Sequence, residues 1–284
     1  MFIWNILNKH WKKLMFIPIV IFLLSVGFLA LNTVTKGSFI EKDVEMTGGK
    51  LISIITSDRV DIGAVERVVG SAGTVRVASG ITNTILIQVP EEYDEKEIIK
   101  KLDFISIEDY SVKQIGPALG EMFWHQAQLA IFFAFVLMAI VVFVLFRSLV
   151  PSSAVVLAAV SDMTITVAIM SLLGIQLSLS VLAALLMLIG YSIDTDILLT
   201  SRLLKTTGSK EEKIKSAMKT GLTMTATTLG ALTALYLLSE TIVLKQMANV
   251  LIIGLVVDVF TTWLTNVGIL RWWFEKREKR TREA

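Results

Sequence analysis

No cysteine occurs among the 284 residues, which excludes disulfides, thiolate zinc sites, iron–sulfur clusters and cysteine nucleophiles. Two histidines, His10 and His125, are too few for a histidine metal cluster. Charge is scarce too, at 18% of residues, and 27 basic against 25 acidic side chains supply no strong field for nucleic acid. There is no phosphate-binding G-x-x-x-x-G-K-[ST], no H-E-x-x-H and no G-x-S-x-G nucleophile elbow. The chain therefore reads as a non-enzyme without metal or cofactor, driven, if at all, by an ion gradient or a partner. What it has in excess is apolar surface. Hydrophobic residues make up 54% and the mean hydropathy is +0.69. With its 17 glycines the apolar share is about 60%, against about 45–50% for soluble domains. This is the composition of a membrane protein.

Six stretches reach the roughly 20 apolar residues that a membrane-spanning helix needs. They run Leu14–Leu31, Ala127–Phe146, Ala154–Leu173, Leu177–Leu199, Thr220–Leu238 and Met247–Leu270. The first has 18 uncharged residues, more than the about 7–15 of a signal-peptide core, so it reads as a retained anchor. The expected division is a cytoplasmic N-terminus with the first span (1–31), an extracytoplasmic domain (32–126), a five-helix bundle (127–270) and a basic cytoplasmic tail (271–284). Counting lysine and arginine, one side receives 16, beginning with Lys9, Lys12 and Lys13, and the short loops opposite hold only Lys245. By the positive-inside rule both termini face the cytoplasm and the 95-residue domain faces outside. The expected place is thus the cell membrane.

The domain has a readable order. Val44–Ser57 alternates like a strand, interrupted at Gly48-Gly49. Asp61–Val69 sets Ile62, Val65, Val68 and Val69 on one helical face. Thr74–Ala78 and Thr84–Val89 read as a strand pair with Gly80–Asn83 as the turn, Asp94–Leu102 as a helix, and Ile105–Ile115 as a last strand. The order βαββαβ predicts a small α+β ferredoxin-like sandwich beside the six transmembrane helices.

Carboxylates inside spans are costly and mark function by default. Asp162 and Asp258 fall near the middle of the third and sixth spans; Asp194 falls about 9 Å from the centre of the fourth, at about 1.5 Å per residue. Asp196 is expected still nearer the aqueous edge, at the headgroups. A spacing of two turns Asp194 and Asp196 about 200° apart, so they cannot share a face. Asp196 is also a relay candidate, and two readings compete for each of the other three. One is a proton or ion relay. The other is a neutral acid acting as interhelical glue, with Ser161, Thr164, Thr261 or Thr265 as partners for Asp162 and Asp258. The fifth span carries a small-residue stripe, Ala226, Gly230 and Ala234, suited to helix packing, while Thr223, Thr227 and Thr228 are candidates for a polar path. Trp272, Trp273 and the basic Arg271–Arg282 suit an interface with membrane lipids. Trp124 and His125 suit interfacial anchoring.

Three strings carry a family resemblance: Glu45-Met46-Thr47-Gly48-Gly49, Ile115-Gly116-Pro117-Ala118-Leu119-Gly120, and Gly190-Tyr191-Ser192-Ile193-Asp194. In this order they resemble the SecD/SecF family of protein-export membrane proteins, an RND-type superfamily, and its archaeal-like SecF branch. The first string is similar to the family's D-F-T-G-G, the second to V-G-P-x-x-G and the third to G-Y-S-I-N. The resemblance implies a subunit acting with SecD beside the SecYE channel, assisting late translocation of a polypeptide. It also implies that Asp162 matches an acidic position involved in proton passage. The mechanism expected is that proton or ion occupancy at Asp162 biases the outer domain between two poses. Where the family has N-D-T this chain has Asp194-Thr195-Asp196, and Asp258 replaces a glycine-serine stretch. The competing function classes are an RND-type small-molecule or lipid transporter subunit and a membrane scaffold.

Overall fold

A computed structural model describes residues 10–58, 60–70, 73–78, 83–239 and 241–283, the last six by backbone alone. Lys9 and the expected turn residues Gly80, Ile81 and Thr82 lie outside the described residues. Among the described residues six helices are long and apolar enough to cross a membrane. They are α1 (Phe16–Lys36), α5 (Pro117–Phe146), α6 (Leu149–Leu172), α7 (Leu179–Lys205), α8 (Lys210–Leu238) and a last rod made of three segments. That rod is α9 (Ile242–Phe260), a π-helical stretch Thr261–Asn266, and α10 (Val267–Glu283). Local chemistry sets several of the ends. Ser209 and Glu212 form a capping box at the start of α8, and Pro117 opens α5, where its missing N–H costs nothing.

Between α1 and α5 lie α2 (Val44–Thr47), β1 (Gly49–Thr56), α3 (Ile62–Val69), β2 (Thr74–Ala78), β3 (Asn83–Val89), α4 (Glu95–Lys101) and β4 (Asp109–Ile115). The strands form one antiparallel sheet in the order β2-β3-β1-β4. Register puts Ile52 opposite Ile87 and Ile54 opposite Ile85. These four side chains are fully buried beneath Val65 and Val69 of α3, Ile98 of α4 and Leu102 just after it. Burying a side chain of this size stabilises by about 1.5–3 kcal/mol. Asp61 and Asp94 cap α3 and α4 by accepting from the N–H groups of Gly63 and Lys96.

Two expected strands begin later: the last one, expected from Ile105, pairs only from Asp109. Val44–Thr47 is a helical turn, and β1 begins only at Gly49. Asp43 accepts the Val44 N–H at 2.8 Å and starts the turn; Gly48 at φ +80° ends it. The turn buries both Val44 and Met46, with Met46 joining the bundle core.

In the bundle α9 packs on α6, α7 and α8, and α6 also packs on α1 and α5. Gly254 makes the α9–α7 contact close, since a Cβ there would sit 2.3 Å from Leu188 Cδ2. The sheet unit is tied to the tip between α6 and α7. Lys42 bridges Leu177, the Asp43 N–H donates to Leu177 O at 3.0 Å, and the Leu177 N–H donates to Glu41 O at 2.8 Å. Leu179 N–H, at the start of α7, donates to Glu45 Oε2 at 2.6 Å, and Gln176 donates to Gln88 Oε1 at 2.8 Å.

Candidate functional site

Three of the four intramembrane aspartates meet where α6, α7 and the α9–π junction cross. Asp162, Asp196 and Asp258 are each 0–1% exposed. Asp162 accepts Ser192 Oγ–H from α7 at 2.5 Å and a close hydrogen bond from Thr261 of the π segment. Asn266 Nδ2 donates to Asp196 Oδ1 at 2.6 Å. Thr262 Oγ1 lies 3.0 Å from Asp196 Oδ1 and 3.1 Å from Asp258 Oδ1. Among the described residues Asp196 Oδ2, Asp258 Oδ2 and Asn266 Oδ1 have no hydrogen-bond partner, and no lysine or arginine pairs with any of the three carboxyls. No described group of three or more acidic or histidine side chains is arranged to hold a metal ion.

The π-helical stretch is what gathers these donors. A wider turn at Thr261–Asn266 is a local departure of the kind often found at functional sites. Here it lets adjacent threonines serve different carboxyls, Thr261 facing Asp162 and Thr262 facing the other two.

Asp196, expected toward the aqueous edge, is 0% exposed within the protein, because the α7 turn that presents Ser192 to Asp162 also points Asp196 at Asn266. Asp194 lies on the opposite face and is exposed, as its spacing demands. Thr261 is a partner of Asp162 as expected. Ser161 and Thr164 instead donate to their own backbone at Leu157 O and Val160 O, and Thr265 donates to Met15 O. Thr223, Thr227 and Thr228 likewise satisfy backbone carbonyls of α8 and stand apart from the cluster. Ala226, Gly230 and Ala234 are exposed. Thr262 and Asn266 escaped the sequence reading. The signal was present as a polar run, Thr261-Thr262-Trp263-Leu264-Thr265-Asn266, inside an apolar span.

The three motif strings fall in two places. Gly48-Gly49 and Gly116-Pro117-Ala118-Leu119-Gly120 pack backbone to backbone: a Cβ on Gly48 would lie 2.6 Å from Pro117 Cα, and one on Gly120 2.6 Å from Gly48 N. Gly49 at φ +126° turns its missing Cβ toward Val89 O. From the third string only Ser192 enters the cluster, while Gly190 and Tyr191 face outward with Asp194.

At the sheet-unit junction Asp43 is held above the ordinary carboxylate range by burial, opposed by the Val44 N–H hydrogen bond and reinforced by the charge of Glu45. Arg76 reaches Glu41 at 2.7 Å; burial lowers its value and Glu41 raises it.

With this geometry, the profile described as "Protein export membrane protein SecD/SecF, C-terminal" matches residues 94–276. The chain belongs to the SecD/SecF family of protein-export membrane proteins. The protein-export membrane protein SecF of Methanolacinia petrolearia is 40% identical over 281 residues, covering 98% of this chain and 99% of that one. Those of Pyrococcus furiosus and Methanocaldococcus jannaschii are also 40% identical, covering 94% and 96% of this chain and 92% and 99% of theirs. The fold is that of the SecDF crystal structure from Thermus thermophilus, titled a translocon-associated membrane protein, at a TM-score of 0.74 and 21% identity. That match covers 93% of this chain but 38% of SecDF, so this chain spans well under half of that longer protein. A SecDF structure in a super-membrane-facing form matches at a TM-score of 0.57 and 18% identity.

Proposed function

We propose that this chain is the SecF-type subunit of a Sec protein-export complex, joined to a SecD-type partner beside a SecYE channel and assisting late translocation of a polypeptide. On this reading residues 1–31 form the cytoplasmic N-terminus and anchor, 32–126 a ferredoxin-like domain on the extracytoplasmic face, 127–270 the bundle and 271–284 a cytoplasmic tail against membrane lipids. The lysine and arginine asymmetry supports the orientation. Strand order β2-β3-β1-β4 with both helices on one face supports the ferredoxin-like assignment. The exposed Asp194 supports a partner, because a carboxylate facing hydrocarbon is costly until another helix covers it.

The observation that carries the mechanism is the shared ownership of one hairpin. Helices α6 and α7 hold the aspartate cluster at their middles and grip the sheet unit at their tip. Burying three carboxylates without a cation is prohibitive if all are charged. Thr262 has one hydroxyl proton for two carboxyl oxygens, which fits a cluster in which a carboxyl donates back. In our reading a change in proton or ion occupancy re-spaces α6, α7 and the π segment, and the tip passes that change to the domain. Differential affinity of the ion for the two poses is the energetic requirement.

The test is Asp162→Asn, which keeps the shape and most hydrogen bonds but not the charge. In cells with an unchanged level of the complex, pulse-chase of an exported reporter is expected to show slowed maturation. Maturation at the wild-type rate would overturn the relay.

A further inference from the structure

A second concavity lies away from the aspartates, on the flank where α1, α5, α6 and α7 meet below the sheet unit. Its volume is about 510 Å³, within the roughly 300–1,000 Å³ of small-molecule sites. Leu29 of α1, Ile131 and Phe135 of α5, Met163 and Val167 of α6 and Leu185 of α7 form its walls. Gln128 and Thr164 are the polar members, and the Thr164 hydroxyl is already bonded to Val160 O. Phe132, at the groove's edge, is 60% exposed, so the concavity opens sideways, where a membrane-spanning bundle meets acyl chains.

The mouth is not apolar. Phe39 and Trp124 stack there with ring centroids 6.1 Å apart, and Lys42 Nζ stands 3.8 Å above the Trp124 ring. Among the described residues no carboxylate pairs with Lys42, since its neighbour Glu41 is engaged by Arg76 and Lys36. Burial lowers the ordinary value of this lysine, the mark of an ammonium stripped of part of its water without an anion in return. A tryptophan that orients an ammonium at the end of an apolar trough matches the two-part chemistry of an amphiphile.

We propose that this groove binds an anionic phospholipid-type lipid, with one hydrocarbon chain between α1, α5, α6 and α7 and its phosphate at Lys42 beside Trp124. Generic lipid contact demands neither a concavity of this size nor, at its mouth, a lysine with which no described carboxylate pairs. The site also touches the junction that holds the sheet unit, because Ile40 and Leu177 line the groove and Lys42 bridges Leu177. A bound lipid therefore buttresses the sheet unit on the tip of the α6–α7 hairpin.

The experiment uses the full chain in mild detergent, with phosphatidylglycerol and phosphatidylcholine as probes. Retention is read by native mass spectrometry and buttressing by the melting midpoint. Wild type is expected to keep phosphatidylglycerol about fivefold better, the factor that one lysine contributes toward an anionic lipid, and to melt higher with it. Lys42→Gln is expected to bring the preference near one. Gln128→Trp, which fills the groove from an exposed position, is expected to reduce retention of both lipids. Equal retention of both lipids by wild type, or an unchanged preference in Lys42→Gln, would overturn the proposal. So would cross-linking of another protein's apolar helix, in place of lipid, to a photoreactive residue at position 128.

Discussion

Gly116 and Gly120 stand four residues apart in one motif, yet the structure assigns them opposite tolerance. A Cβ at Gly120 would lie 2.6 Å from Gly48 N, 3.0 Å from Thr47 C and 3.1 Å from Thr47 N. All three are backbone atoms of the corner between α2 and β1, so no rotamer change relieves the clash. Overpacking of this kind costs about 1–3 kcal/mol. At about 2–4 °C per kcal/mol for a chain near this size, Gly120→Ser is expected to lower the melting midpoint by about 2–12 °C. Gly116 has nothing within 4 Å of its would-be Cβ and an ordinary φ of −67° at the cap of α5, where serine is a good residue. Gly116→Ser is expected within about ±0.5 kcal/mol, or about 2 °C. Gly48→Ser should cost at least as much as Gly120→Ser, because its φ of +80° adds strain to a 2.6 Å approach to Pro117 Cα. Tryptophan fluorescence melts of the purified chain, all variants in one detergent, would measure the series. Equal losses at positions 116 and 120, or none at 120, would refute the packing argument.

Three further outcomes are expected. Thr262→Val strands Asp196 and Asp258 without their shared hydroxyl and should cost about 1–3 kcal/mol in the same melts, while Thr262→Ser restores most of it. Asp43 has a folded value raised above the ordinary 3.8, chiefly by burial, so its contribution is complete below that value and fades as pH rises through the folded one. Wild type should thus gain stability relative to Asp43→Asn as pH falls from neutral toward 3.8, and parallel midpoints of the two across that window would contradict it. Asp194→Leu should leave the isolated chain's midpoint unchanged, since the residue is exposed, but change the recovery of a six-helix partner in pull-downs from native membranes. Unaltered recovery would remove Asp194 from the partner surface.

The spans and the βαββαβ order were legible because both rest on periodicity and composition, which act residue by residue. Val44–Thr47 was not: alternation of Val44 and Met46 suits a strand, and only the Asp43 cap with a left-handed Gly48 decides for a turn. Within the cluster, Asp162 and Asp258 were legible as charges at mid-span, and Thr261 as a hydroxyl in reach. The burial of Asp196 was not, because distance along a helix says how far a residue lies from a span's centre but not which neighbour covers it. Asn266 on another helix closes that site, and a contact 70 residues distant leaves no periodic trace. The glycines of the first two strings were legible as a motif. Their reason, mutual backbone contact across the start of α5, needed the fold.

The placement of the cluster bears on why a single hairpin would couple membrane and domain. Asp162 stands ten residues before the end of α6 at Leu172, about 15 Å at 1.5 Å per residue. Over that length a packed helix is a lever: a small tilt at its middle becomes a larger displacement at its end. Gly174 at φ +68° then turns the chain, and the next residues meet the sheet unit through backbone hydrogen bonds of 2.8 and 3.0 Å at Leu177. Backbone bonds at that point fix position, whereas a side-chain contact would absorb movement by rotamer change. Ser192 ties α7 to Asp162, and Glu45 holds the start of α7 through the Leu179 N–H, so both arms of the hairpin are clamped at the cluster and at the domain. A change in charge at Asp162 that lengthens the Ser192 or Thr261 contact therefore has a continuous, stiff route to residues 41–45. If the route is real, Glu45→Gln should weaken the effect of Asp162→Asn on export, because it loosens the same lever at its far end. Additive effects of the two substitutions would mean that cluster and domain act independently.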